Sequence, residues 1–198
     1  MRRRALAAAL GLALAAPAGR AAEPVRWSVA DEARMAAEAA SWAPPDFKRQ
    51  LATHSRRLMQ GVSDAAAAET GTRDAAAHRA AAARGARALA EAIRRHGAFD
   101  EVVYQTGGIV HEFALALPPP AGTAANVPKA ARFLGYPPEP FAAPEVLAAA
   151  PLSATTARDR YDAAVTLSTR LLAWIWKAAG GDASSVKQYP ESKGPFLP

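Results

Sequence analysis

VVYQTGGIVHEFALA, residues 102–116, is an apolar run that contains two adjacent glycines and one histidine. At about 100° per residue, Tyr104, Gly107, Gly108, His111 and Leu115 share one side of a helix, so the histidine points with the packing face. Glycine inside a helix costs about 1 kcal/mol relative to alanine, and a pair is retained where another backbone or side chain comes close. Helical side chains lean toward the N-terminus, which carries the His111 ring over the space the glycines leave. Two readings follow: a tight helix crossing with a hydrogen-bonded core histidine, or room for a ligand beside an imidazole. A zinc-protease HExxH is excluded, because Leu115 stands where the second histidine belongs. Glu112 lies about 100° round the helix from His111 and is expected to serve a different site.

Three helical stretches precede this one. Ser28 to Trp42 opens with an N-cap serine and Asp31 three residues on, and Val29, Met35, Ala36, Ala39 and Trp42 give it an apolar face. Pro44-Pro45 then resets the chain. From Asp46 to Met59, Phe47, Leu51, His54 and Leu58 recur at i, i+4, i+7 and i+11, which puts His54 inside the stripe. Gly61 is read as the close of that helix and Asp64 as part of the loop that follows. The third stretch runs from Arg73 to His96, with Thr72 as cap and Gly97 at its end. His78 and Leu89, eleven residues apart, fall within about 20° of each other, so His78 also faces inward. On a helix with few large apolar residues, an inward imidazole is costly unless it is paired. His96, in the last turn, is expected to meet terminal carbonyls.

Pro118-Pro119-Pro120 stops the central helix. Residues 118–151 are rich in proline, alanine and glycine, with a short helix expected around Val127 to Leu134, and such a segment is placed to cover a site formed by the second to fourth helices. A last helix from Thr155 to Ala179 carries Tyr161, Val165, Ser168, Leu172 and Ile175 at helical spacing and ends at Gly180-Gly181. Trp174 and Trp176 beside that stripe are read as packing. The tail from Asp182 lacks periodicity. There is no solenoid repeat, Gly-rich phosphate loop or G-x-S-x-G elbow.

The chain opens with MRRRALAAALGLALAAPAGRAAEP, a basic start, a short apolar core and small residues, the pattern of a secretory signal peptide over residues 1–22. A helical domain is expected over 23–181 and an irregular tail over 182–198. No later stretch approaches the ~20 apolar residues of a membrane span. The net charge of +6 falls to about +2 once Arg2, Arg3, Arg4 and Arg20 leave with the signal, too little to argue for nucleic acid. The 198 residues include no cysteine, so there is no disulfide, thiolate ligand or lipidated cysteine. Alanine richness and few β-branched runs point to an all-α fold: one bundle of about five main helices, with a long Pro/Ala-rich loop before the last.

His54, His78 and His111 thus face inward from three helices, with Asp64 between two of them. Zinc sites of hydrolases use three histidine or carboxylate ligands and keep a position open for water. PPDFKRQLATHSRRLMQGVSD (Pro44 to Asp64), FDEVVYQTGGIVHEFA (Phe99 to Ala114) and, more loosely, RLLAWIWKAAG make the chain resemble the zinc-dependent phospholipase C superfamily, which includes secreted single-strand-specific nucleases. That resemblance implies an all-α bundle acting on phosphodiesters. It implies a first metal held by an aspartate, a histidine about fourteen residues later, and the histidine of a GxxxHxxxD-like helix, which correspond to Asp64, His78 and His111. The pattern departs at Leu115, where the family has a further aspartate, and no histidine follows His111. Trp27 stands for the family's N-terminal tryptophan ligand only if processing cuts after Arg26.

The reading is an exported, periplasmic or secreted phospholipase C-like protein holding at most one zinc, at Asp64, His78 and His111, with His54 as an additional candidate ligand. Its substrate would be a phospholipid or another phosphodiester. The alternative is a relative that keeps the bundle, has lost the chemistry, and acts as a binding or structural protein.

Overall fold

Ser28 starts the first helix as a reciprocal cap: its hydroxyl accepts from the Asp31 amide at 3.1 Å, and the Asp31 carboxylate accepts from the Ser28 amide at 3.3 Å. Thr156 and Asp159 repeat this device at the last helix, while the fourth begins at Asp74, whose carboxylate accepts from the Ala77 amide at 2.7 Å. The computed structural model describes residues 25–71, 73–121, 130–151 and 154–190. The signal-like segment, the Thr72 cap, residues 127–129 and the last eight residues lie outside the described ones.

Among the described residues there are seven α-helices and no strand: α1 (Val29–Ser41), α2 (Pro45–Thr53), α3 (Ser55–Ala68), α4 (Ala75–Arg94), α5 (Phe99–Ala116), α6 (Pro144–Ala149) and α7 (Ala157–Ala178), followed by a 3-10 turn at Ser184–Gln188. The all-α expectation holds. α5 lies between α3 and α4, α1 packs on α3 and α7, and α6 covers α4 and α7. One continuous apolar cluster runs from Trp27 through Met35, Phe47, Leu89, Val103 and Phe113 to Ile175.

The most enclosed helix is α7, where every residue from Tyr161 to Ala173 is buried, polar ones included. A helix buried all round must satisfy its polar groups internally. Ser168 and Thr169 donate to carbonyls one turn back, at 2.8 and 2.9 Å. Asp162 and Thr166 accept from the amides of Arg132 and Leu134, at 2.9 and 3.2 Å. Arg170 donates through Nε to the Gly135 carbonyl at 2.9 Å. Residues 132–135 are thereby laid along α7 in a non-helical path, where a helix reaching Leu134 was expected.

The helix expected over Asp46–Met59 is two helices. The chain breaks at His54 (φ −105°, ψ 26°), and α3 continues to Ala68. Gly61 therefore does not end a helix. It faces Tyr104 so closely that a Cβ there would stand 1.8 Å from the Tyr104 carbonyl oxygen. Gly107 is its counterpart on α5, where a Cβ would meet Val62 N at 2.5 Å and Leu58 O at 2.6 Å. The close approach expected of the paired glycines is the α3–α5 crossing, and it uses Gly107 alone, since nothing lies within 4 Å of a Cβ at Gly108.

The long segment after α5 is not uniformly a loop. It contains α6, whose C-terminal carbonyls at Ala148 and Ala150 accept from Arg79 Nη1 at 3.4 and 3.2 Å. The described part of the tail, residues 182–190, is likewise more ordered than its lack of periodicity implied: the 3-10 turn buries Val186, and Tyr136 bridges to Pro190.

Candidate functional site

His111 is held by the first helix. Glu32 lies on the buried stripe of α1 with Met35, Ala36 and Ala39, and its Oε2 is 2.7 Å from His111 Nδ1. Both side chains are only 4% exposed. A carboxylate can only accept, so Nδ1 carries the shared proton and donates it to Glu32. That Nε2 is buried without a hydrogen-bond partner.

His78, near the start of α4, is fixed in the same manner. Its Nδ1 is 2.7 Å from Oε2 of Glu112 on α5. The other oxygen of Glu112 pairs with Arg73 Nη1 at 3.1 Å, and Arg73 Nη2 reaches Glu69 at 2.5 Å. One guanidinium thus bridges two carboxylates. Burial pushes the Glu69 carboxyl up, but hydrogen bonds from Arg73 and from the Gly71 amide outweigh it and hold the group below its ordinary value. The Glu69 hydrogen bond foremost, against the opposing effect of burial, holds Arg73 above its own.

Asp64 sits on α3 rather than in a loop, and it is exposed. Its Oδ2 accepts from Tyr104 Oη at 3.1 Å and from Gln60 Nε2 at 3.4 Å. His54 is half-buried at the α2–α3 break, where its carbonyl accepts from the amides of Arg57 and Leu58. Trp27 is buried against Tyr161 and donates its indole N–H to the Leu117 carbonyl at 2.8 Å.

Asp64, His78 and His111 each have a different partner, and among the described residues no three His, Cys, Asp or Glu side chains are grouped as a metal site groups them. In this arrangement the three residues do not form one donor set for zinc.

A cleft of about 370 Å³ opens between α3, α4 and α5, lined by Glu69, Arg73, Gly108, His111 and Glu112 among others. A second hollow of about 300 Å³ shares Glu69 and Arg73 with this cleft and reaches His78. His111 and Glu112 therefore border one cleft, contrary to the expectation from the helix wheel. A wheel separates side chains by angle, whereas a cleft at a three-helix junction can take in adjacent faces.

Glu32, Glu69 and Arg73 were not singled out as site residues in the sequence, and Glu112 was considered there only to be set apart from His111. Glu32 left a legible signal: a carboxylate at i, with apolar residues at i+3, i+4 and i+7, is a charge on the buried face. Glu112 left a weaker one, as part of a polar line with Glu101, Gln105 and Gly108 at spacings of four and three.

No protein-family model, curated protein or solved structure matches the chain. The fold and site define the class on their own terms: an all-α bundle with two imidazoles each held by a carboxylate from another helix.

Proposed function

We propose that the chain is an exported helical protein similar to the phospholipase C superfamily that binds a small ligand in the α3–α4–α5 cleft. It would act as a binding protein, not as a multi-metal hydrolase. The observation that carries this reading is His111. Its ring is locked at Nδ1 by a buried carboxylate and leaves a buried Nε2 unpartnered at a cleft. An orphaned buried polar atom is rare enough to call for an explanation, and a bound species that hydrogen-bonds to it supplies one.

A one-zinc phosphoester or phosphodiester hydrolase is the competing reading. It is favoured by the two Nδ1–carboxylate contacts, since histidines that ligate zinc through one nitrogen commonly donate the other to a carboxylate. It requires Asp64 to leave Tyr104 and join His78 and His111.

Elemental analysis of tag-free mature protein, as wild type and His111→Ala, decides between them. No metal after zinc addition and dialysis supports the binding reading. About one zinc per chain, absent from the variant, supports the hydrolase.

A further inference from the structure

A larger cavity, of about 720 Å³, lies where α6 and Pro137-Pro138 face α7, and it shares no lining residue with the α3–α4–α5 cleft. That volume falls inside the roughly 300–1,000 Å³ usual for small-molecule sites. Its wall follows from the short sequence PEVLAA of α6. Leu147 and Ala148 turn into the core, which leaves Val146 outward at 61% exposure, the most exposed large apolar side chain among the described residues. Val146, Leu147 and Ala149 line the cavity together with Pro137, Pro138 and Pro151.

This wall has little to offer a polar guest. The three prolines carry no N–H. The amides of Ala142, Val146 and Leu147 already donate to carbonyls three or four residues back, and the carbonyls of Ala148 and Ala150 accept from Arg79 Nη1. Water is held in a cavity by two to four polar partners, and here the backbone supplies few, so an apolar body displaces it with gain. The ionised groups on the wall are one carboxylate, Glu139, and one guanidinium, Arg170, whose charges cancel. A charged ligand would leave water for a wall of no net opposite charge.

We infer that this cavity is a second binding site, for a small, neutral, apolar molecule. Arg87 and Glu145 tie α6 to α4, so the wall is held in place before the ligand arrives. The inference does not depend on the cleft beside His111, and the two sites stand or fall separately.

The experiment is a methyl NMR titration of the full chain with toluene, benzylammonium and benzoate, which share one ring and differ in charge. The variants are Ala149→Trp, which fills the cavity from its rim, and Val146→Asp, which adds a carboxylate there without filling it. Val146 is so exposed that the second variant keeps its fold, and it carries the test if the indole disturbs α6. The expected result is a saturable shift of the Val146 and Leu147 methyls with toluene, and binding at least about tenfold weaker with either ion. The toluene response is lost in Ala149→Trp and weakened in Val146→Asp, where Leu147 reports it. The Ile109 methyls, beside the other cleft, stay where they are. Either ion binding as tightly as toluene overturns the neutral assignment. No saturable response, a response that both variants leave intact, or an Ile109 shift with the same midpoint overturns the site itself.

Discussion

His111 Nδ1 and Glu32 Oε2 lie 2.7 Å apart, joining the fifth helix to the first across 79 positions of sequence inside the core. Removing one member of such a pair strands the other, a loss of about 3–5 kcal/mol, whereas replacing both by apolar side chains is often neutral. His111→Leu alone is expected to lower unfolding stability by that order, and Glu32→Leu with His111→Leu to recover most of it. Urea unfolding of the two single variants and the double tests this. A double variant no more stable than the singles would show that the pair is not the coupled unit described.

The two adjacent glycines of α5 are expected to behave oppositely. Gly107→Ala forces a methyl into the backbone of α3 and should destabilise by about 1–3 kcal/mol or more. Gly108→Ala meets open space and should stabilise by up to about 1 kcal/mol through helix propensity alone. Thermal melts of the two variants check the contrast, and similar shifts of the same sign would contradict the crossing.

Glu145 and Arg87 meet at 2.8 and 2.7 Å on the surface, tying α6 to α4. The hydrogen bonds from Arg87 hold the Glu145 carboxyl down at about 2, from an ordinary 4.5. A carboxyl depressed in the folded state contributes stability that is present above about 4.5 and is lost as pH falls toward 2. Because both groups are exposed, the energy is small. Carboxyl NMR titration should place the Glu145 midpoint far below that of an ordinary glutamate. Arg87→Gln should return it to the ordinary range, and an unchanged midpoint in that variant would refute the assignment.

Tyr136 and Tyr161 are both raised well above the ordinary phenol value. Burial is the main cause, and at Tyr161 the Glu38 carboxylate adds to it. A phenol raised on folding stabilises the native state below about 10, and that stability is lost as pH climbs past it. Absorbance titration should therefore show two tyrosines that ionise only as alkali unfolds the chain. Tyr161→Phe and Tyr136→Phe should each remove one of them from that late step.

Zinc gives a further expectation under the binding reading: a chelator should leave the melting temperature of the protein unchanged. A fall on chelation, reversed by added zinc, would move the assignment to the hydrolase.

The helices were legible because periodicity and caps agree: Ser28 with Asp31 marks α1, and the prolines after Leu117 mark the end of α5. The break at His54 was not, because the apolar stripe continues in register across it and only the backbone angles change. Gly61 was misread for a related reason. A glycine after an apolar stripe signals a helix end as readily as it signals a close crossing, and only the facing Tyr104 backbone separates the two. α6, only six residues long, was too short to show a period. At the site, the inward histidines His78 and His111 were recovered from the helix wheel, but their partners were not. Spacing along the chain does not report that Glu32 and Glu112 arrive from other helices. Asp64 was placed in a loop by the same error that ended a helix at Gly61.

The Gly61–Gly107 crossing has a bearing on selectivity. At this contact α3 and α5 meet backbone to backbone, so their separation cannot be adjusted by turning a side chain. The cleft just beyond has walls set by that separation and by α4. Under the binding reading it acts as a gauge of fixed width, rejecting ligands that are too broad, with little capacity to close on those that are too slender.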